Sequence, residues 1–428
     1  MKKNLLFSLA LTILFLSSCS ISKKIDRSAE NGILKNPAFL PAFTGISVYE
    51  PATGKYWYNH LAEKYFVPAS NTKLPSCFAV MKYLGDSIPG IQYRIENDST
   101  VIIRATGDPT FLHPDYKNQP VFDFLKRFKN IKIERPAFSR FLGNGWSWND
   151  YTEYYMAQRS AMPIYGNVIT VKTNGQKSLD ISPGFFAFSS KTEGNVQNGF
   201  SLTKTWDTNT FVFLPGQSRK VEIPFVPDNN TLLQLLKDTL KSTITFIDQA
   251  GELGKVIYSQ PVDSMLKHMM YRSDNFYAEQ SLLMVSNKVL GYIDEKKIID
   301  TLLKTDFKSL PQVPKWADGS GLSRYNNFSP RDFITILLKM KEEFGMERIK
   351  TILPTGGTGT ISSYYLADSG SIFVKTGTLN GVVALSGFLY TKKNKLLVFS
   401  VLVNHHYSSS ASIRKGVEEF VQSLRNNY

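Results

Sequence analysis

The sequence predicts a mixed α/β protein in two parts: an α/β unit drawn from both ends of the chain, and a β-rich unit inserted between them. Three features predict it. Helical periodicity over 71–84 and again from 228 onward brackets a central stretch of short β-prone runs separated by turns. Three apolar runs near the C-terminus, 372–375, 384–390 and 396–403, are spaced as antiparallel strands. The length of 428 residues exceeds one ordinary domain, with no internal repeat. The expected limits are 1–18 for a targeting segment and 19–27 for a tether. The α/β unit takes 28–90 and 226–428, and the insert takes 91–225.

Composition narrows the class. Apolar residues make up 42% and charged residues 20%, which excludes a chain disordered throughout. Two cysteines exclude a disulfide-stapled scaffold and a cysteine zinc module, and five histidines leave little for a metal cluster. No metal or other cofactor is expected. The formal charge of +14 is spread along the chain and mixed with acids, without a basic arm, so a nucleic-acid partner is not expected.

The elements follow in order. Lys2 and Lys3 precede an apolar run from Leu5 to Leu16, too short for the roughly 20 residues of a membrane span and suited to a signal peptide. Leu16-Ser17-Ser18-Cys19 resembles a bacterial lipobox, which implies cleavage before Cys19 and lipid attachment there. Cys77, among Phe78, Ala79 and Val80, reads as a buried small hydrophobe. Pro51-Ala52-Thr53-Gly54 between two β-prone runs marks a hairpin. Pro68-Ala69-Ser70 leads into a helix ended by Gly85, whose first turns Pro75 is expected to distort. Strand-like runs then include 101–105, 143–148, 168–172, 211–214 and 221–226. Asp228-Asn229 caps a leucine-rich helix, and helices follow near 265–271 and 276–285. Ser329-Pro330 with Asp332 starts another helix, and 411–424 closes the chain as one.

Three motifs carry chemistry: Ser70-Asn71-Thr72-Lys73, Ser273-Asp274-Asn275 and Lys375-Thr376-Gly377, the last followed by Thr378. On a helix, residues three apart share a face, so Lys73 can reach the Ser70 hydroxyl. A serine hydroxyl needs an adjacent base, and a lysine serves once burial or a second cation lowers its pKa. Lys375 offers that cation. Ser273 can relay a proton to a leaving amine, and Asn275 can hold an amide through both ends of its side chain. A strand at a sheet edge would let a peptide add beside Lys375–Thr378, with Gly377 clearing room for it. Trp146 and Trp148 share a face if extended, with core packing favoured over a sugar-stacking role.

Each motif alone is common; together, in this order, they resemble the set of class A β-lactamases and penicillin-binding proteins. The chain further resembles the D-Ala-D-Ala carboxypeptidase/endopeptidase family of low-molecular-mass penicillin-binding proteins, in the branch with an inserted domain. Pro68–Leu74, Gly107-Asp108-Pro109, Gly145–Asp150, Asp318–Arg324 with Ser329-Pro330, Leu353-Pro354 with Gly359-Thr360, and Lys375–Leu379 carry the likeness. It implies a β-lactamase/transpeptidase-like domain: an antiparallel sheet flanked by helices, with a helical subdomain. It implies Ser70 as the acylated nucleophile, Lys73 as its base, and Ser273 and Asn275 completing the centre. Lys375, Thr376, Gly377 and Thr378 would bind the substrate carboxylate, and the N–H groups of Ser70 and Thr378 would form the oxyanion hole. The stretch between Ser70 and Ser273 is short for the two inserts of fuller members, so one is expected. Peptidoglycan peptides are the implied substrate, β-lactams covalent inhibitors, and the cell envelope the location, with membrane attachment through Cys19. A non-catalytic peptidoglycan-binding protein and a β-lactamase or esterase on the same centre remain alternatives.

Overall fold

The computed structural model describes residues 23–173, 179–192, 201–214 and 220–428. The expected targeting segment and Cys19 lie outside the described residues.

Helix α1 (23–29) runs into a π turn, Glu30–Leu34. Ile25, Ala29 and Ile33 recur every fourth residue, form one stripe, and are buried. The expected tether through residue 27 is therefore corrected: from residue 23 the chain is packed helix, because that apolar stripe has a core to enter. Strands β1 (Phe43–Glu50) and β2 (Lys55–His60) form the expected hairpin. A 3₁₀ turn, Ala69–Thr72, precedes α2 (Lys73–Tyr83). Pro75 falls in the first turn of α2, where its missing N–H has no intrahelical partner to lose, so the α-helix is regular and the tight turn lies ahead of it.

The next segment builds a second unit. It contains β3 (Ser87–Asn97), β4 (Thr100–Ala105), α3 (Pro120–Leu125) and β5 (Asn130–Glu134). Short strands β6 (Val168–Thr173), β7 (Leu179–Ser182), β8 (Ser190–Thr192), β9 (Ser201–Lys204), β10 (Phe211–Leu214) and β11 (Lys220–Pro224) follow. Then come α4 (Asn229–Leu240), β12 (Thr243–Ile247) and β13 (Lys255–Pro261). The strand order β12-β5-β4-β3-β13 makes one five-stranded sheet. Its register overrides the expected limits of 91 and 225. β13 pairs with β3 and β12 with β5, while Leu232, Leu235, Leu236 and Leu240 of α4 enter the core of this sheet rather than the other. The inserted unit thus runs from Ser87 to Pro261. The run 143–148 is not a strand: it forms a loop leading into a short 3₁₀ turn, Trp148–Asp150.

The chain then returns through α5 (Val262–Tyr271), α6 (Asn275–Leu290), α7 (Glu295–Lys304) and α8 (Pro330–Ile352). Ser329 and Asp332 close a reciprocal capping box on α8. Strands β14 (Ile372–Leu379), β15 (Val382–Tyr390), β16 (Leu396–Asn404) and helix α9 (Ser410–Asn427) complete it. The second five-stranded sheet has the order β14-β15-β16-β1-β2, so the first and last parts of the chain share it and β14 is an edge. Leu397, Phe399, Val401 and Val403 face α1 and α9, while Val398 and Leu402 face α2, α5, α6 and α8. Both faces are covered, which is why β16 reads as a nearly continuous apolar run, broken only by the buried Ser400, although its side chains alternate. Among the described residues no helix is long and apolar enough to cross a membrane, and no cluster of metal-ligating side chains occurs.

Candidate active site

Ser70 lies in the 3₁₀ turn, where side chains three apart eclipse, and this sets its hydroxyl beside the lysine that starts α2. Ala69 is held at φ 46°. Two glycines permit the close packing around this turn. A Cβ on Gly321, itself at φ 83°, would collide with the Ala69 carbonyl, and one on Gly377 would stand 2.7 Å from Pro68 O and 3.0 Å from Ser70 N. Gly377 therefore makes room for the protein's own backbone, where the sequence pointed to room for substrate. Asn71 anchors the turn to β15 through Ser386, Nδ2 to Oγ at 2.7 Å.

Lys73 is fully buried. Its Nζ lies 3.0 Å from Ser70 Oγ, 2.7 Å from Asn275 Oδ1 and 2.7 Å from Ser320 O. As an ammonium it donates to all three. As a neutral amine it keeps two N–H bonds, which the two carbonyl oxygens accept, and its lone pair faces the Ser70 hydroxyl. Burial pushes its pKa down to about 8, against the upward pull of Asp318, Glu279 and Asp274. Of the two expected causes, burial and a second cation, burial is the one that lowers it.

Ser273 sits at φ 59° between α5 and α6, and Asp274 caps α6 by accepting from Tyr277 N at 3.1 Å. Asn275 donates from Nδ2 to Tyr155 O at 2.9 Å. That carbonyl only accepts, so the amide end must face it and Oδ1 must face Lys73. Arg272, next to Ser273, pairs with Asp115 of the inserted unit, and Tyr277 donates to the same carboxylate at 2.8 Å.

The edge strand β14 brings the third motif in. Lys375 is fully buried, and its Nζ donates to Ser273 Oγ at 2.9 Å and to Thr376 O at 2.8 Å. Burial, then the charge of Lys73, hold its pKa well below the usual lysine range. Lys375 thus lies behind Ser273 and does not line the cleft, whereas Thr376 and Thr378 do. Thr376 donates to Thr360 Oγ1 at 2.7 Å, and Arg414 of α9 donates to Thr378 Oγ1 at 2.7 Å.

The cleft has a volume of about 1100 Å³ and opens between the two units, with Ser70, Ser273 and Asn275 at its floor and Arg272, Arg324 and Arg414 around it. The likeness through Asp318–Arg324 took in Ser320 and Arg324 without giving either a role, and sequence reasoning did not single out Arg272, Arg414, Glu279, Arg159 or Tyr155. Nothing in their spacing marks them, because the groups they hydrogen-bond in the site are backbone carbonyls or lie 36 or more residues away along the chain. The two tryptophans part ways: Trp146 donates its indole N–H to Asp318 Oδ2 at 3.0 Å, while Trp148 is 72% exposed, so shared core packing does not hold.

Comparison with known proteins gives the chain a family. The family model of D-Ala-D-Ala carboxypeptidase 3 (S13) matches residues 27–424. The chain is 24% identical over 383 residues to D-alanyl-D-alanine carboxypeptidase DacB of Haemophilus influenzae, covering 77% of each. It is 23% identical over 440 residues to the D-alanyl-D-alanine carboxypeptidase of an Actinomadura species, covering 88% of this chain and 80% of that one. The crystal structure of penicillin binding protein 4 from Haemophilus influenzae superposes with a TM-score of 0.74 at 19% identity, covering 94% of this chain and 98% of that one, and that protein is also solved with a β-lactam. The architecture that the resemblance implied, an antiparallel sheet flanked by helices with a helical subdomain and an inserted unit, is the one observed, and it is the fold of penicillin binding protein 4. The family acts on peptidoglycan in the cell envelope. With the match running through both units and all three motifs, the chain belongs to the D-Ala-D-Ala carboxypeptidase 3 (S13) family and is a serine-type D-Ala-D-Ala peptidase.

Proposed function

We propose that Ser70 is the nucleophile that this chain uses on peptidoglycan peptides ending in D-Ala-D-Ala, on cross-links containing a D-Ala amide, or on both. The observation that carries the reading is the seating of Lys73, with two carbonyl oxygens taking its N–H bonds and its lone pair left for Ser70 Oγ. Neutral Lys73 takes the hydroxyl proton as Oγ attacks the scissile carbonyl. The N–H groups of Ser70 and Thr378 hold the oxyanion. Ser273, backed by Lys375, passes a proton to the departing amine, and water then releases the acyl group. The Thr376 and Thr378 hydroxyls grip the substrate carboxylate, and Lys375 adds its charge from behind Ser273. Asn275 aligns the substrate amide as well as Lys73.

β-Lactams are proposed to acylate the same Ser70, since their strained amide presents a carbonyl and a carboxylate in the same relation. Cys19 is proposed as the lipid attachment that holds the protein at a membrane of the envelope.

Labelling with fluorescent penicillin tests the assignment, together with chromatography of pentapeptide and cross-linked muropeptides. A stable label on the wild type that vanishes in Ser70→Ala, with loss of turnover, is expected. A Ser70→Ala protein that still labels or turns over would overturn it. The muropeptide consumed decides between D-Ala release and cross-link cleavage.

A further inference from the structure

We infer that the inserted unit is part of the catalytic machinery, because two of its contacts orient the amine of Lys73. The inference rests on Lys73 being the base for Ser70.

The first contact is direct. An asparagine side chain can present either end to a lysine, and only the oxygen end accepts. Tyr155 of the inserted unit removes the choice: its carbonyl takes Asn275 Nδ2 at 2.9 Å and leaves Oδ1 on Lys73 at 2.7 Å.

The second contact runs through charge. Ser320 gives its carbonyl to Lys73, and its N–H donates to Glu279 Oε1 at 2.8 Å. The other oxygen of Glu279 accepts from Arg159 Nη1 at 3.2 Å, and the same Nη1 pairs with Glu295 at 2.5 Å. Arg159 and Glu279 are 1% and 0% exposed. A buried charge without a partner is costly, so this guanidinium is bound to its place between two carboxylates. Arg159 also donates through Nη2 to the carbonyls of Arg140 and Leu142, at 3.1 and 2.9 Å. The loop that carries them leads on to Trp146, which donates to Asp318, and Asp318 in turn accepts from Gly321 N and Ser323 N, just after Ser320 in its loop. One connected set of bonds thus joins the inserted unit to the second carbonyl that faces Lys73. Arg159, Glu279 and Trp146 touch neither substrate nor Ser70; they are positioning residues.

The electrostatics give the set a signature. The charged groups acting on Lys73 are Asp274 and Glu279 of the α6 segment, Asp318 of the loop before α8, and Lys375 of β14. The carboxylates favour the ammonium form and Lys375 disfavours it. Burial and Glu295 push the Glu279 pKa up to about 7 against the pull of Arg159, so the carboxylate is charged across the Lys73 transition near pH 8, and removing that charge favours the neutral amine.

The test is the rate of acylation by a fluorescent β-lactam between pH 5.5 and 9.5, taken from time courses so that only folded molecules are read, with melting curves for each variant. Glu279→Gln keeps an acceptor for Ser320 N and is expected to move the acid limb to lower pH by about half a unit or more. Arg159→Met is expected to lower the plateau rate by about 10–100-fold, with part recovered in Arg159→Lys. Trp146→Phe, a milder change on the exposed side of the network, is expected to slow acylation several-fold without loss of folding. An acid limb for Glu279→Gln that coincides with the wild type, with Trp146→Phe at the wild-type rate, would overturn the inference. If Lys73→Ala acylates like the wild type, the reading of Lys73 as base fails instead.

Discussion

Lys375 Nζ donates to Ser273 Oγ at 2.9 Å from a fully buried position behind it, so the last of the three motifs serves the second before it can serve a substrate. Ser273 is held in the left-handed region at φ 59°, an unfavourable conformation for a residue with a Cβ. The bond from Lys375 points the hydroxyl of this constrained residue into the cleft.

Lys375→Met is accordingly expected to cost more in chemistry than in binding. It removes the donor to Ser273 while keeping an unbranched chain in the buried slot. A fall of about 10²–10⁴ in acylation rate is expected, with a smaller loss of noncovalent affinity for β-lactam as the charge behind Ser273 is removed. Stopped-flow separation of the binding and acylation steps checks it.

The pH dependence of acylation follows from Lys73. Its lone pair is free only when deprotonated, and burial sets the transition near pH 8. The rate is expected to rise about tenfold per unit up to that region and to level above it. A pH profile that is flat from 6 to 9 would contradict a lysine base. In Asp318→Asn the limb is expected to move to lower pH, because that carboxylate raises the lysine pKa.

Gly321→Ala is expected to damage the nucleophile turn from outside it. The added Cβ meets the Ala69 carbonyl, and φ 83° adds backbone strain of about 1–3 kcal/mol. Reduced melting temperature and strongly reduced labelling at Ser70 are both expected, measured by scanning calorimetry and penicillin gel assay.

The N-terminal helix gives a stability prediction. Ile25→Ala is expected to cost about 2–5 kcal/mol, because Ile25 is 2% exposed in the core shared with α9. Urea unfolding of Ile25→Ala beside the wild type checks it.

Cys19→Ser is expected to move the protein from the membrane fraction to the soluble periplasmic fraction without loss of penicillin labelling. Cell fractionation followed by penicillin gel assay separates the two effects.

Much of this protein was legible in its sequence. The motifs Ser70–Lys73, Ser273–Asn275 and Lys375–Thr378, with periodicity on either side of a β-rich stretch, determined the family, the chemistry and the principle of an insert. Those signals are local: a turn, a cap or a strand edge is set by residues within a few positions of one another. The tertiary structure alone decided where the insert ends, because β12 and β13 are claimed by pairing with β5 and β3 across more than 100 residues. It alone put Lys375 behind Ser273, turned Gly377 toward the Pro68–Ser70 backbone and separated Trp146 from Trp148. It also gave Lys73 its two carbonyl partners, of which Ser320 O carries no side-chain signal at all. Hydrogen bonds and buried charges between distant segments depend on which surfaces meet, and no spacing along the chain records that.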